Sequence, residues 1–544
     1  MPLGTPHPTM LARSFTALCV STLLTAAWAH HCAPVSERAP SVARSTTSAS
    51  DTQPPRQKLS SPTSAPPFAK TPPYFEEVIG RAHTLATQPA AAPREIDLPT
   101  GLAEIDYDAY RDIRFRPERS LWRGSPGLFE VQFFHPGSIF DTAVLVYAIE
   151  HGQARPVPFS TELFSYEGLP GPPPATGLEF TGLRVHTPLN SESYRDEVVA
   201  FHGASYFRPL GRGNVYGLSA RGLAVDLGEP GPEEFPCFTH FYLVRPGPHD
   251  QHMWILALLE SRRVTGAYAF RMQPGDTTLI EVTAKLFLRD RVGALGLTPL
   301  TSMYLFGEDA PNRFGDFRPE VHDSDGLSMW SSTGEWLFRP LRNPKSTVLS
   351  SFRLDSPRGF GLVQRDRSFE HYQDLETRYQ DRPSIWIEPV EGFGAGSVRL
   401  LEIASDTEGK DNIAVAWVPD SVEREELGVR YRLHVGSQVD DQVSRGRVTA
   451  SRIAQTPRGV RFLVDFAGGH VVDDSRVEAV ISVSGSGARV VERHVEKNPF
   501  AGGLRASFEL ALEPGAAQVE LRAFLRTPSD VLTETWSYLW QPNR

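Results

Sequence analysis

Apolar and polar positions alternate with a period of two along most of the chain. Residues 277–290, TTLIEVTAKLFLRD, show this pattern: apolar side chains recur at every second position from Ile280 to Leu288, and Glu281 and Lys285 stand between them. Successive side chains of an extended segment point to opposite faces, so the pattern predicts a β-strand with one buried face. Comparable runs are separated by turns such as RPGPHD and MQPGD in a chain with 44 glycines and 46 prolines. We therefore predict an all-β fold.

One segment follows the helical period instead. YFEEVIGRAHTLA, which begins at Tyr74, spaces its apolar residues three or four positions apart and so predicts an amphipathic helix. The residues expected on its apolar face are Phe75, Val78, Ile79, Ala82 and Leu85. Long helices that alternate with strands are not predicted, so an architecture of βαβ units is not favoured.

The length of 544 residues exceeds what one hydrophobic core usually holds, and the pattern divides the chain into two domains. Residues 74–418 form the larger one. PDSVEREELG, residues 419–428, is a polar and charged interruption that we interpret as a linker. About seven short strands follow in residues 429–544, among them RYRLHV and QVELRAFL. Their number and spacing are typical of an immunoglobulin-like sandwich.

The N-terminal region has the composition of an export signal followed by a leader. Arg13 precedes an apolar run, FTALCVSTLLTAAWA, that ends in a small-x-small triplet, so residues 1–29 are a predicted signal peptide. Residues 30–73 are rich in Ser, Thr, Pro and Ala and cannot bury enough apolar surface to fold, so we predict a disordered leader. No later segment is long and apolar enough to predict a transmembrane helix in the mature chain.

Charge and missing motifs argue against several functions. The formal net charge of −10 disfavours nucleic acid and anionic membranes as partners, since both require a positive surface. The chain has no G-x-S-x-G, H-E-x-x-H or P-loop motif, so the serine hydrolase, zincin and nucleotidase classes lack support. His252, His322 and His371 are not spaced as metal ligands. We therefore expect neither a metal site nor a cofactor.

The stretch HDSDG, residues 322–326, is the first candidate for chemistry. In an extended segment Asp323 and Asp325 point to the same side. Either these carboxylates cap local backbone N–H groups in an Asx turn, or they face a substrate. A calcium loop of the helix–loop–helix type is excluded, because that loop requires Gly at its sixth position and Glu at its twelfth. Counted from Asp323, Gly326 is fourth and Gly334 is twelfth.

Aromatic and acidic residues cluster beyond this stretch. Four of the nine tryptophans, Trp330, Trp336, Trp386 and Trp417, lie within residues 330–417 together with several carboxylates. A sugar site needs aromatic faces for the apolar C–H surface of a pyranose ring. Glycoside hydrolysis needs two acids, one to protonate the leaving oxygen and one to activate water. The alternative is that each tryptophan is a core residue, so the cluster indicates a carbohydrate site but does not decide it.

Longer stretches carry a family resemblance: GASYFR (203–208), VYGLSARGLAVD (215–226), EEFP (233–236), ALLESRRVTGAYAF (257–270), GLTPLTSMYLFG (296–307), HDSDGLSMW (322–330), GEWLFRPLRNP (334–344), GFGLVQRDRSFEHYQDLE (359–376), RPSIWIEP (382–389), DNIAVAW (411–417) and ETWSY (534–538). Over nearly all of residues 74–544 the chain resembles the osmoregulated periplasmic glucan biosynthesis proteins, which have a G and a D branch. Asp325 and Trp330 resemble the D branch, whereas Gly326 and PLTSMYLFG resemble the G branch.

The resemblance implies a fold, a location and an activity. The fold is a large mutarotase-like β-sandwich followed by a small immunoglobulin-like domain, and the location is the periplasm. The activity is the making or trimming of β-1,2-linked glucans. Some members are similar to anomer-inverting endo-β-1,2-glucanases, and others are similar to transglycosidases.

The resemblance also implies roles for single residues. Asp411, in DNIAVAW, matches the general acid of the family. Asp323 matches its general base, which is expected to reach the attacking water through a relay of further waters. The remaining expected substrate contacts are Trp330, Tyr379, Arg382, Trp386, Asp325 and His322.

Two other functions remain open at this point. The first is a non-catalytic periplasmic scaffold that binds nascent glucan and positions it for the membrane glucan glucosyltransferase, which is then a partner. The second is a mutarotase-like epimerase, for which His322 beside Asp323 would supply the histidine and the carboxylate. Product length and linkage, hydrolysis against transfer, and the oligomeric state are not predicted by the sequence.

Overall fold

The computed structural model describes residues 67–542 except 168, 170, 175, 311–313, 423–424, 441–444, 470–475 and 517. Strands dominate this part of the chain, which confirms the predicted all-β fold. The predicted signal peptide and residues 30–66 of the predicted leader lie outside the described residues. No helix within the described residues is long and apolar enough to cross a lipid bilayer.

The helices are short apart from the first. They are α1 (Phe75–Ala86), α2 (Thr100–Ala103), α3 (Tyr107–Arg111) and α4 (Phe369–Tyr372), with 3₁₀ turns at Pro117–Arg119, Thr161–Leu163 and Tyr379–Asp381.

The strands fall into two groups along the chain. The first group is β1 (Ile113–Phe115), β2 (Glu130–Phe134), β3 (Leu145–Glu150), β4 (Gln153–Pro156), β5 (Phe164–Tyr166), β6 (Gly182–Thr187), β7 (Asp196–His202), β8 (Tyr206–Pro209), β9 (Ser219–Arg221), β10 (Leu223–Val225), β11 (Cys237–Val244), β12 (Met253–Glu260), β13 (Val264–Gln273), β14 (Thr278–Leu288), β15 (Leu295–Ser302), β16 (Tyr304–Phe306), β17 (Val321–His322), β18 (Gly326–Trp330), β19 (Trp336–Pro340), β20 (Val348–Asp355), β21 (Gly359–Val363), β22 (Ser384–Glu391), β23 (Ala395–Glu402), β24 (Ile413–Pro419) and β25 (Glu426–Gly436). The second group is β26 (Arg447–Thr456), β27 (Gly459–Ala467), β28 (Glu478–Ser484), β29 (Ala488–Asn498), β30 (Gly503–Leu512), β31 (Val519–Arg526) and β32 (Thr535–Trp540).

Two large sheets pack face to face in the first group, which we call the larger domain. One sheet has the order β2-β6-β7-β8-β9-β15-β24-β23-β20, with β10 paired to β15. The other has the order β19-β18-β21-β22-β25-β14-β13-β12-β11-β3-β4. Apolar residues of both sheets form one core; Phe201 of the first sheet, for example, packs 5.3 Å from Phe270 of the second, measured between ring centroids. The larger domain is therefore a β-sandwich.

The segment that carried the helical period is confirmed as helix α1. Its residues Phe75, Val78 and Ala82 are buried against Leu256 and Phe287 on the outer face of the second sheet. Each large apolar side chain buried in this way contributes about 1.5–3 kcal/mol. Because helix α1 covers this face of the sheet, Phe287 is buried, although it stands on the polar side of the alternating pattern of strand β14.

Strand β25 differs from the sequence interpretation. It contains RYRLHV, which was assigned to the smaller domain, but it pairs antiparallel with both β14 and β22. Its apolar residues Val429, Tyr431, Leu433 and Val435 lie in the core of the larger domain. The stretch 419–428 is therefore not a boundary between domains, because the larger domain continues through Gly436. Alternation predicts a strand but does not predict which sheet accepts it.

The second group of strands, which we call the smaller domain, forms a sandwich with seven strands among its described residues. Its two sheets have the orders β26-β27-β30-β29 and β28-β31-β32. Strand β32 pairs in parallel with β19, where Leu337 faces Thr535 and Phe338 faces Trp536. One sheet of the larger domain therefore continues into the smaller domain, and the two share an apolar cluster.

Candidate active site

A single backbone segment holds both aspartates that were expected to be catalytic. The N–H of Asp323 donates to the carbonyl oxygen of Met303 at 2.9 Å. Asn412, which follows Asp411, accepts from the N–H of Tyr304 at 2.8 Å and donates to its carbonyl oxygen at 2.9 Å. The side-chain amide of Asn412 thus bonds to both backbone groups of Tyr304, as a neighbouring β-strand would. This explains why an asparagine follows Asp411 in DNIAVAW. Two residues far apart in the sequence are fixed to the consecutive residues Met303 and Tyr304, where β16 begins.

The two carboxyls share an electrostatic environment. Burial and, to a smaller extent, the charge of Asp323 raise the pKa of Asp411 to about 6 against the lowering effect of Arg208 and Arg382. Burial also raises the pKa of Asp323, and the same two arginines oppose that effect. The side chain of Asp323 is almost fully buried, whereas that of Asp411 is partly exposed. The two carboxyls are therefore near enough for the charge of Asp323 to act on Asp411, and Asp411 is the more exposed of the two.

Arg382 is fixed beside Asp323. Its Nε lies 3.5 Å from Oδ1 of Asp323 and donates to the carbonyl oxygen of Thr377 at 3.1 Å. Its Nη1 donates to the carbonyl oxygen of Tyr216. A Cβ at Gly217 would lie 2.9 Å from Cδ of Arg382, so only glycine lets the chain approach so closely. The structure thus fixes Arg382 beside Asp323, and its expected role as a substrate contact stays a prediction.

Tyr379 lies in the wall of the site rather than at its surface. The side chain is buried, and its ring lies 5.1 Å from the guanidinium carbon of Arg382. Its hydroxyl donates to Oε2 of Glu408 at 2.6 Å, and Arg318 donates to the same oxygen at 2.8 Å. Because the hydroxyl is already engaged by Glu408, the structure places Tyr379 in support of Arg382.

His322 is buried and held by its neighbours, and it lines a cavity together with Glu320 and Asp325. The imidazole is fully buried, stacks on Tyr304 at 5.1 Å, and bonds to Gln364 Oε1 at 3.1 Å and Glu320 Oε2 at 2.9 Å. Burial lowers the pKa of His322, but the Glu320 hydrogen bond and the charge of Asp325 outweigh it and raise the pKa to about 9. His322 therefore contributes a fixed positive charge to the site.

Asp325 has a different role from its neighbour two positions earlier. Its Oδ2 accepts from the backbone N–H groups of Arg365 and Asp366, the latter at 2.9 Å. Backbone capping, the alternative that HDSDG left open, applies to Asp325, although the capped loop is about forty residues away and not the local turn. This leaves Asp323 as the carboxylate of HDSDG that the site contains.

The tryptophans do not line the site. Trp330, Trp336 and Trp386 form a stack with centroid distances of 4.8 and 5.2 Å, within the apolar cluster shared with the smaller domain. Trp386 is fully buried, and Trp330 is capped by the guanidinium of Arg358 at 4.9 Å. Trp417 is buried in the core of the larger domain. For these residues the structure favours the core interpretation over the sugar platform.

Among the described residues, two groups of side chains have ligand atoms close enough to hold a metal ion. Glu320, His322 and Asp325 form one group, and Glu320, Asp366 and His371 form the other; within each, the atoms lie within 4.8 Å of one another. The spacing of the histidines gave no sign of this arrangement, because the loop over residues 364–371 is brought against strand β17 only by the fold. In each group one pair is hydrogen-bonded, His322 with Glu320 in the first and His371 with Asp366 in the second.

Sequence reasoning missed several residues that shape the site. Arg208 on β8 acts on both aspartates, and Glu408 and Arg318 support Tyr379. Asn412 holds the segment that carries Asp411. For Arg208 the only available signal was its place in GASYFR, since no spacing relates it to Asp411.

Fold and site together define a class: a two-domain β-sandwich protein whose larger domain holds two electrostatically coupled carboxyls between arginines. The comparisons then give the family. A family model described as "Periplasmic glucan biosynthesis protein, MdoG" matches residues 74–540, and the chain belongs to this family.

Relatives assign the branch. The chain is 45% identical over 463 residues to Glucans biosynthesis protein G of Rhodopseudomonas palustris (strain BisA53), covering 84% of this chain and 91% of that protein. It is 42% identical over 485 residues to Glucans biosynthesis protein G of Ralstonia nicotianae, covering 86% and 96%. Its identity to the protein of that name from Serratia proteamaculans is 40% over 483 residues, covering 85% and 92%. The family resemblance is confirmed, and the G branch is supported.

Proposed function

We propose that this protein remodels the β-1,2-linked backbone of periplasmic glucans, as an anomer-inverting endo-β-1,2-glucanase or as a transglycosidase. The observation that carries the proposal is the pairing of Asp411 with Asp323 in one charged site of the larger domain. Membership of the periplasmic glucan biosynthesis family supports the substrate class. The predicted signal peptide supports action in the periplasm.

Asp411 acts as the general acid. Its pKa of about 6 keeps a useful fraction protonated near neutral pH, as a proton donor requires. It donates this proton to the glycosidic oxygen while the bond from that oxygen to the anomeric carbon breaks. The leaving sugar departs as a neutral hydroxyl, and Asp411 is left ionised. Its partial exposure lets the glycosidic oxygen approach.

Asp323 acts as the general base. The attacking water adds to the anomeric carbon from the opposite face, which inverts the anomeric configuration. The proton of that water passes through further waters to Asp323, since this carboxyl is too buried to contact the sugar directly. Arg382 holds the carboxyl in one orientation. Transglycosylation begins with the same proton donation, and a sugar hydroxyl then replaces water as the acceptor.

The test is incubation of the mature protein with linear β-1,2-glucan, followed by analysis of product length, linkage and anomeric configuration. Shorter or relinked glucans are the expected products. Asp411→Asn should lower the rate by about 10²–10⁴-fold, the usual contribution of a general acid, while glucan binding is retained. The matched control is Asp420→Asn, which changes a carboxylate paired with Arg353 at the surface and should keep the wild-type rate.

Two results would overturn the proposal. Unimpaired turnover by Asp411→Asn would remove this residue from the mechanism. Glucan that is bound by the wild-type protein but never shortened or relinked would instead support a scaffold that presents glucan to the membrane glucosyltransferase.

A further inference from the structure

One histidine and two carboxylates converge around the HDSDG stretch. Nε2 of His322 lies 2.9 Å from Oε2 of Glu320 and 3.8 Å from Oδ1 of Asp325. The three atoms all lie within 4.8 Å of one another. In a tetrahedral zinc site, bonds of about 2.0–2.1 Å place neighbouring ligand atoms roughly 3.3–3.4 Å apart. The two separations from Nε2 lie on either side of that value, so the three atoms are placed to share one small cation.

Hydrogen bonds behind the ring determine which nitrogen of His322 faces the carboxylates. Nε2 of Gln364 donates to the carbonyl oxygens of His322 and Tyr379 at 3.2 and 3.1 Å. A carbonyl only accepts, so this atom is the amide nitrogen, and the amide oxygen Oε1 is the atom that lies 3.1 Å from Nδ1 of His322. Nδ1 therefore carries a hydrogen and donates it. In the neutral ring the lone pair is on Nε2 and faces the carboxylates, which is how histidines that bind metals are held.

The two carboxylates are oriented toward the same nitrogen. Oδ2 of Asp325 accepts from the backbone N–H groups of Arg365 and Asp366. Its other oxygen, Oδ1, is therefore the one that faces His322. Glu320 is 6% exposed and directs Oε2 at Nε2 of the ring. A lone pair that faces two carboxylate oxygens is repelled by them unless a positive charge lies between. Either a proton on Nε2 or a metal cation supplies that charge.

A cavity of about 40 Å³ adjoins these three side chains. They line it from the larger domain, and residues 448–451 of strand β26 line it from the smaller domain. Asp309, which is 7% exposed, also lines the cavity. Its Oδ1 accepts from the hydroxyl of Tyr304 at 2.6 Å, whereas Oδ2 is buried without a hydrogen bond of normal geometry. The Tyr538 hydroxyl also acts on this carboxyl, without a bond of that geometry to Oδ2.

The free oxygen of Asp309 indicates that the cavity holds a further group. A buried carboxylate oxygen without a hydrogen bond is costly, and a water bound to a cation would donate to it. The cavity is large enough for such a water, which needs about 10–15 Å³. Three protein ligands and one water complete the four positions of a tetrahedral ion.

We propose that Glu320, His322 and Asp325 bind a divalent cation of the zinc type through Oε2, Nε2 and Oδ1, with a water in the cavity as its fourth ligand. Zn²⁺ accepts an imidazole together with carboxylates, whereas Ca²⁺ and Mg²⁺ prefer oxygen ligands alone. The expectation of no metal site rested on the spacing of the histidines, and this site uses one histidine only. The cation holds residues on both sides of Asp323 in place, beside the junction with strand β26.

The test is zinc binding by the mature protein, prepared without a metal-binding tag, treated with a chelator and titrated in a calorimeter. The ligand variants are Glu320→Gln and Asp325→Asn, which keep the size of the side chain and remove its charge. Glu388→Gln is the matched control, because Oε2 of Glu388 lies 2.8 Å from Nε2 of His434 and, among the described residues, no third ligand group joins this pair. His371→Gln tests the neighbouring group that shares Glu320. Circular dichroism and denaturant unfolding without metal check that each variant folds.

The wild type should bind one zinc ion. Glu320→Gln and Asp325→Asn should each weaken that binding about 100-fold or more, since the loss of an outer-shell partner alone costs about 10–100-fold. Glu388→Gln and His371→Gln should match the wild type, and Ca²⁺ and Mg²⁺ should bind more weakly than Zn²⁺.

Four results would overturn the proposal. A wild type that binds no zinc would leave the proton on Nε2 as the positive charge between the carboxylates. Unchanged zinc binding by both ligand variants would place the cation elsewhere. Loss of binding in His371→Gln, with Asp325→Asn unchanged, would assign the cation to the neighbouring group. Tighter binding of Ca²⁺ or Mg²⁺ than of Zn²⁺ would contradict a site that includes the imidazole.

Discussion

Asp323 and Asp325 stand two positions apart, yet their surroundings give them unrelated tasks. Oδ2 of Asp325 accepts two backbone N–H groups and fixes the loop that follows β21. Asp323 instead meets Arg382, and its Oδ1 has no hydrogen bond of normal geometry. A buried carboxyl oxygen left without a bond is costly unless water or a reacting group completes it. This difference at the residue scale agrees with the proposed role of Asp323.

The pH dependence of turnover should reflect Asp411. A general acid works only when protonated, and the fraction of protonated Asp411 falls as the pH rises through its pKa of about 6. We expect kcat/KM for β-1,2-glucan to decline by about tenfold for each pH unit well above that value. A pH–rate profile at saturating and limiting substrate checks this. A rate that stays constant from pH 5 to 9 would contradict the assignment.

Ionisation of Asp411 should also lower the free energy of unfolding of the protein. Its pKa is about 6 in the folded protein, compared with 3.8 for an unperturbed carboxyl, so the unfolded chain releases this proton first. Stability is therefore lost as the pH rises between these two values, and the loss persists at pH 7. Asp411→Asn, which cannot ionise, should stabilise the protein at pH 7 by at most about 3 kcal/mol. Denaturant unfolding at pH 4 and pH 7 checks this, and a gain equal at both values would contradict it.

At the scale of elements, Arg365 joins the two domains. It follows strand β21 of the larger domain and binds Asp440 at 2.6 Å and Glu534 at 2.6 Å, the latter beside β32 of the smaller domain. The same guanidinium lies 4.1 Å from the ring of Phe338 on β19. The guanidinium pairs with both buried carboxylates, and Asp440 has a second partner in Arg447 at 3.1 Å; the backbone N–H of Arg365 is also one that Asp325 caps. The junction and the candidate active site thus share a loop.

Arg365→Ala should destabilise the protein by about 3–5 kcal/mol, because it removes the guanidinium that two buried carboxylates share and leaves Asp440 with Arg447 and Glu534 with the N–H of Val448. The matched control is Arg353→Ala, which removes an exposed arginine paired with Asp420 and should change stability little. Chemical denaturation of both variants gives the comparison. If both variants lowered the free energy of unfolding by similar amounts, the buried position of the Arg365 ion pairs would not explain the effect.

At the scale of the whole molecule, the two domains are one folded unit. Strand β32 extends a sheet of the larger domain through its pairing with β19, and the Trp330–Trp336–Trp386 stack packs into the core of the smaller domain. Arg342 donates to the carbonyl oxygen of Leu539 across the same junction. At this junction each domain would expose apolar side chains, and β19 an unpaired strand edge, without the other domain.

A chain that ends after Gly436 should therefore fail to fold as a soluble monomer. The truncation uncovers Trp336, Phe338 and Trp386 and leaves the edge of β19 without its partner strand, and an uncovered apolar edge promotes aggregation. Soluble yield, circular dichroism and size-exclusion chromatography check this. A soluble, cooperatively unfolding product would show that the larger domain is independent.

The sequence predicted the elements of the fold better than their assembly. Period-two alternation and helical spacing depend on residues a few positions apart, so helix α1, strand β14 and the all-β class could be predicted from the chain alone. Strand β25 was recognised as a strand but assigned to the wrong domain, since its alternating apolar residues suit either core. The tryptophans were noticed, but spacing does not distinguish a sugar platform from an interdomain stack.

By itself, the sequence determined the β-rich class and the family, because local periodicity carries the first and motifs that a family shares carry the second. The resemblance also predicted Asp323 and Asp411 as a pair. Only the tertiary structure decided what surrounds each aspartate: which arginine faces it, how deeply it is buried and which neighbours hold it. The physical reason is that pKa and orientation depend on distances through space between segments such as 206–208, 303–304, 382 and 411–412, and alternation along the chain carries no information about those distances.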